Sequence, residues 1–165
     1  RFTRRSPKRN HLPQLILKKN MAQRQETKSD RDRETKAIEL WTNGHCDYYK
    51  LGKNDIDFKV RSHKTKQIGF VEVKGRNKPV AEAFPLPVAA RKLVKLDDRR
   101  KQDPKATRAF LIWACTDGLI ACDLDELNGV ARMGGRPKRP NTANDWEVMV
   151  YCSAKDSPFK RAMFK

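Results

Sequence analysis

Acidic residues are too few in this chain to balance its basic ones. It has 165 residues with 20 Asp and Glu against 37 Lys and Arg, a formal net charge of +17. Long apolar runs are missing too. None approaches the roughly 20 residues that a bilayer-spanning helix needs, so no such helix is expected. The stretch LPQLIL near the N-terminus is too short for a signal-peptide core, and the protein is not expected to be secreted. Cysteine is sparse: four residues are too few for a disulfide scaffold. Cys115-x6-Cys122, taken with Cys46 and Cys152, lacks zinc-ribbon spacing, and reduced thiols buried in strands are expected instead. Hydrophobic residues make up only 38%, so a folded centre with at least one poorly packed basic segment is expected.

What is abundant is positive charge. An excess of this size points to a polyanionic partner, and nucleic acid is the commonest. Residues 1–28 hold nine Lys or Arg and one acid, Glu26, without sustained periodicity. They read as a disordered basic arm. Met21 opens MAQRQETKSD, which leaves two readings: a start at Met21 with upstream sequence before it, or a genuine arm that grips phosphates. The remainder is also net positive. Residues 29–152 read as one domain and 153–165 as a short basic tail.

Ser29 to about Gly44 has helical spacing, with Ser29 and Asp32 as a start like a capping box and Gly44 as a stop. Glu34, Ala37, Ile38 and Trp41 fall on one stripe, which places an acid on the inward face. That is costly without a partner or metal, although an acid is also welcome in a helix's first turn. Cys46 to Leu51 reads as a short strand. Asn54 to Arg61 alternates, with Ile56, Phe58 and Val60 on one face and Asp55, Asp57, Lys59 and Arg61 on the other. Gln67 to Lys74 follows after a polar hairpin connection, with Val71 and Val73 opposite Phe70, Glu72 and Lys74. Val88 to Gln102 reads as a helix with Pro87 in its first turn. Thr107 to Cys115 is the most apolar run and suits a buried central strand. Leu119 to Leu124 is its hairpin partner, Gly129 to Asn144 reads as a loop, and Trp146 to Cys152 as a last strand.

Asp57, Glu72 and Lys74 form one constellation, D-x14-E-x-K, with Glu34 as a candidate fourth member. Magnesium takes oxygen ligands, commonly one or two carboxylates plus waters and substrate phosphate. Two carboxylates on one side of adjacent strands supply that set. A cation held there polarises a phosphodiester and makes water a better nucleophile, and a lysine alongside orients the water or offsets phosphoryl charge. The charges of Asp57, Lys59, Glu72 and Lys74 also suit a salt-bridged hairpin face.

The runs NDIDFKV and GFVEVKGR resemble the core motif of the PD-(D/E)XK nuclease superfamily, which includes restriction endonucleases and Holliday junction resolvases. The resemblance covers about Ser29 to Leu124. It implies an α/β restriction endonuclease-like core, a mixed central β-sheet flanked by helices in the order α-β-β-β-α-β-β. It also implies Asp57, Glu72 and the Val73 carbonyl as metal ligands, Lys74 as the catalytic lysine, and Mg2+ as cofactor with Mn2+ able to substitute. Many resolvase-like members carry a helical glutamate that faces the metal, and Glu34 matches that position. The local likeness is to proteins with GEID before FVEVK, so Asp57 is chosen over Asp55; the proline that often precedes the aspartate is absent here. A metal-dependent DNA endonuclease is therefore expected, with branched DNA or a Holliday junction as substrate. A homodimer is expected for paired cuts, and an intracellular, cytoplasmic place in a bacterial cell or phage-infected host.

Arg76, Arg91, Lys92 and Lys95 are candidate DNA contacts near the site, and Arg132, Arg136, Lys138 and Arg139 make an acid-free segment suited to phosphates. Solvated surface charge is the plainer account of each. His45 and His63 read as a helix-end and a loop residue, and Trp41, Trp113 and Trp146 as core or near-core. Two other functions fit the composition. One is a nuclease-derived module that binds nucleic acid without cutting. The other is a basic structural component of a nucleoprotein particle.

Overall fold

The computed structural model describes residues 28–52, 55–135 and 146–165. Helix α1 (Lys28–Thr42) precedes β1 (Cys46–Lys50), β2 (Phe58–Ser62) and β3 (Ile68–Gly75). Strand β4 (Leu86–Ala89) runs directly into α2 (Ala90–Gln102), and β5 (Ala106–Ala114) and β6 (Gly118–Asp123) follow. The remaining described strands are β7 (Val130–Gly134), β8 (Glu147–Cys152) and β9 (Lys160–Met163).

Six strands form the main sheet in the order β1-β2-β3-β5-β6-β9, and three form a smaller sheet, β4-β8-β7. In the main sheet β3 and β5 run parallel, from Ile68 opposite Ala106 to Gly75 opposite Ala114. The other pairs are antiparallel. The parallel pair explains the unbroken apolar run in β5. A strand covered on both faces needs no polar alternation. Phe58, Val60, Val71, Val73 and Ile112 pack with Ala37 and Ile38 of α1. On the other face Phe70, Leu111 and Trp113 pack with Leu96 of α2 and with Leu86 and Val88 of β4. Each such side chain, fully buried, contributes roughly 1.5–3 kcal/mol. The mixed sheet flanked by helices is the expected architecture, and the small sheet extends it.

Several boundaries differ from the sequence reading, each for a physical reason. Helix α1 already includes Lys28, so Ser29 lies inside it rather than capping it. Its other end is as expected: Asn43 (φ 41°) and Gly44 (φ 70°) turn left-handed and stop the helix. Strand β2 starts only at Phe58, because the chain bends at Asp55 and Asp57. Ile56 therefore packs on the α2 side, opposite Phe58 and Val60, and the expected common face is broken. Pro87 is in β4 rather than in α2, which begins at Ala90. β4 is an edge strand, where proline's missing N–H is tolerated, and its carbonyl accepts a hydrogen bond from Trp113 Nε1 at 3.1 Å. Val130–Gly134, read as loop, pair with β8 as β7. Trp113 is core, but Trp146 is 55% exposed and is no core residue. Within the segment read as a tail, Lys160–Met163 form β9 against β6. The cysteines are free thiols, with Cys115, Cys122 and Cys152 buried. No helix among the described residues is long and apolar enough to cross a membrane.

Candidate active site

The site arises from a mismatch in strand length. β2 pairs with β3 from Arg61 opposite Ile68 to Phe58 opposite Val71, while β3 continues to Gly75. One further step of that register sets Asp57 beside Glu72. The overhang leaves the Val73 N–H without a backbone partner in β2, and Asp57 supplies one: its Oδ2 accepts from Val73 N at 2.8 Å. A strand residue's N–H and C=O leave from the same edge, so the Val73 carbonyl also lies beyond the end of β2. Asp55, two residues earlier, takes a different path. It accepts from Ile56 N at 2.8 Å and pairs with Arg99 at 3.1 Å.

Glu72 is fully buried. Nζ of Lys74 lies 2.6 Å and Nζ of Lys92 lies 2.8 Å from its Oε1. These are close ion pairs, off the geometry of directed hydrogen bonds, and both carboxylate oxygens are buried without a hydrogen-bond partner. Burial is the largest single influence on this carboxyl and would raise its pKa, but Lys74 and Lys92 together hold it below the ordinary glutamate range. Asp57 moves the other way. Burial and then the neighbouring Glu72 charge push it up, against the Val73 N–H, Lys74 and Lys50.

Glu34 is buried on the inward stripe of α1, as the spacing predicts, and its Oε2 pairs with Lys50 Nζ at 3.1 Å. Glu34 and Lys74 share the wall of a cleft of about 690 Å³ that is also lined by Arg76, Trp113, Met149 and Tyr151. The cleft thus runs between α1 and the small sheet, at the C-terminal end of β3. Among the described residues, no three acids, histidines or cysteines converge closely enough to form a ready-made metal cluster. The donors present still suit a hard cation. Two carboxylates lie side by side, and the oxygens of Glu72 are buried without a hydrogen-bond partner, which leaves lone pairs of the kind a hard cation takes.

The other sequence candidates are spread around this centre. Arg76 donates to the Ala83 carbonyl at 2.9 Å and to the Pro85 carbonyl at 3.3 Å, so much of its guanidinium is spent on the loop before β4. Arg91 pairs with Glu147 at 2.6 Å on the exposed side of α2. Lys95 borders a groove on α2 with Arg99. Lys92 turns to Glu72 rather than to solvent. Arg132 stacks over Tyr151, 4.1 Å from the ring centre. Arg136, Lys138 and Arg139 lie outside the described residues. Lys59 pairs with Asp103, not with Glu72, so the salt-bridged hairpin face does not form in that way. His63 pairs with Asp47 at 2.9 Å, far along the hairpin from Glu72. Lys50 was not singled out by sequence reasoning. The available signal was the register of the β1–β2 hairpin, which sets Lys50 opposite Phe58 and so beside Asp57.

Fold and motif together define a PD-(D/E)XK-type chain: a helix, a mixed sheet with the acid and E-x-K at the end of adjacent strands, and a crossover helix. A family model described as "Phage putative PDDEXK endonuclease" matches residues 20–162. The chain belongs to that family, and its core is the restriction endonuclease-like α/β fold. No curated protein and no solved structure matches the chain.

Proposed function

We propose that this protein is a divalent-metal-dependent DNA endonuclease that hydrolyses phosphodiester bonds, with branched DNA such as a four-way junction as its substrate. The observation that supports this is the meeting of Asp57 and Glu72 at the overhanging end of β3, with Lys74 at 2.6 Å from Glu72. Asp57, Glu72 through Oε2, and the Val73 carbonyl would hold Mg2+, with Mn2+ able to substitute, and Glu34 would reach it directly or through water. When bound, the cation supplies Lewis-acid polarisation of the phosphate and acidifies water. Lys74 orients the attacking water and offsets charge that develops on the phosphoryl oxygens. The Asp57–Val73 hydrogen bond fixes the carboxylate before substrate arrives, so little reorganisation remains. Lys95, Arg91, Arg76 and the segment of Arg136, Lys138 and Arg139 contact backbone phosphates, which position a duplex without reading its sequence. Two symmetrical cuts in a junction require two such sites, and hence a homodimer on DNA.

The test is cleavage of supercoiled plasmid and of a four-way junction with Mg2+, Mn2+ or EDTA, in the wild type, Glu72→Ala and Lys74→Ala. Metal-dependent cutting that is lost in both variants, with preference for the junction, is the expected result. A non-cutting DNA-binding module is favoured by one observation: both lysines already neutralise Glu72. Salt-sensitive binding without cleavage, unchanged in both variants, would select that reading.

A further inference from the structure

Lys92 is an odd residue for its place. It lies in the first turn of α2, where the positive end of the helix dipole disfavours a cation. Arg91 and Lys95 on the same helix add like charge. Yet its side chain is only 22% exposed and its Nζ lies 2.8 Å from Oε1 of the fully buried Glu72. Lys74, on β3 itself, already contacts that same oxygen at 2.6 Å. Two ammonium groups thus crowd one buried carboxylate, neither of whose oxygens has a directed hydrogen bond. Burying a lone charge is expensive, but one lysine suffices to pair one glutamate. The second is explained by the neighbour: Asp57 and Glu72 carry two negative charges in one partly desolvated place, and Lys74 and Lys92 carry two positive ones.

We infer that Lys92 is an internal counterion of the metal site. It balances the carboxylate pair when no divalent cation is bound, and thereby weakens the binding of that cation to the free protein. This rests on the metal-site reading above. A cation entering beside Oε2 meets a site already neutral, so its gain from Coulomb attraction is small. The phosphodiester of a substrate brings the negative charge that restores the balance, which ties metal uptake to substrate. Lys92 acts through Glu72; it is a positioning residue, and its effect is carried by charge rather than by shape.

The experiment is a titration of the full chain with Mn2+ alone, without DNA, following the paramagnetic resonance of the free ion, with the melting temperature recorded in EDTA. The variants are Lys92→Met, Lys92→Arg and Asp57→Asn. Lys92→Met is expected to bind Mn2+ roughly tenfold more tightly than the wild type, the scale of one unit charge removed from a partly solvated site. It is also expected to melt lower in EDTA. Lys92→Arg, which keeps the charge, is expected to retain wild-type affinity. Unchanged or weaker Mn2+ binding in Lys92→Met, with Lys92→Arg behaving the same way, overturns the inference and leaves Lys92 a packing residue. If Lys92→Met does not fold, Lys92→Gln replaces it; it also removes the charge, and it is expected to tighten Mn2+ binding in the same direction. Mn2+ binding in the wild type that Asp57→Asn leaves intact sinks the metal-site reading itself, a result distinct from the failure of Lys92.

Discussion

The carboxylate of Asp57 closes the end of the β2–β3 ladder. Its Oδ2 stands in for a missing backbone carbonyl by accepting the Val73 N–H at 2.8 Å. Burial, and then the charge of the neighbouring Glu72, raise the pKa of that carboxylate. One residue therefore completes a sheet and carries an electrostatic strain.

That strain has a measurable sign. Asp57 has its folded pKa raised, so its contribution to stability is present at low pH and is lost as pH rises through the folded value. Asp57→Asn keeps an acceptor for Val73 N–H and removes the charge. In EDTA at neutral pH it is expected to melt a few degrees above the wild type, at about 2–4 °C per kcal/mol for a chain of this size. The difference is expected to close as pH falls and Asp57 becomes protonated. Metal-dependent cleavage is expected to disappear in the same variant. A melting temperature below the wild type at neutral pH would refute the claim that the Asp57 charge is a burden on the fold.

Arg76 separates a structural from a phosphate-binding role. Its two hydrogen bonds to the Ala83 and Pro85 carbonyls use the guanidinium's fork, which lysine does not possess. Arg76→Lys is expected to lose about 1 kcal/mol of stability in urea unfolding, because the loop before β4 loses its tie. Full stability in Arg76→Lys would show that the positive charge alone matters.

Gly118 is a steric test of the sheet's edge. A Cβ there would run into the backbone carbonyl of Ala162 on β9 and crowd Val80. Gly118→Ala is expected to cost about 1–3 kcal/mol, seen as a lower denaturant midpoint. An unchanged midpoint would mean that β9 is not bound tightly to β6.

The cysteines predict a chemical order. Burial pushes the thiols of Cys115, Cys122 and Cys152 up to about 11. Few thiolates then exist at pH 8, and access is poor as well. Cys46, only partly buried, is expected to react first with iodoacetamide, with the other three modified only after unfolding. Peptide mass spectrometry of the timed reaction reads this directly. Early labelling of Cys152 would show that the small sheet opens in the native state.

Legibility in the sequence followed burial. The alternation of GFVEVK placed Glu72 and Lys74 on one face, because successive strand side chains point to opposite sides, and the spacing of Glu34 with Ala37 and Ile38 placed it inward, because that stripe of α1 is buried. The E-x-K motif and the acid before β2 were readable for that reason. Asp57's bond to Val73 was not, since it depends on β2 stopping short of its pattern. β7 escaped because four of its five residues are exposed, leaving no alternation to see. Pro87 suggested a helix start, and only the pairing of β4 with β8 explains it otherwise. The partner of Lys92 lies twenty residues back in the chain, and no local pattern encodes such a pairing.

β4 joins α2 without a loop: Ala89 ends the strand and Ala90 begins the helix. The first turn of that helix holds Lys92, and β4 is bonded to β8 from Leu86 to Ala89. The small sheet is thus joined directly to the turn that carries one of the two ammonium groups at Glu72, while Lys74 is anchored in the main sheet. Anything that displaced β8 would therefore reach the pair of charges at Glu72 through β4 and the first turn of α2.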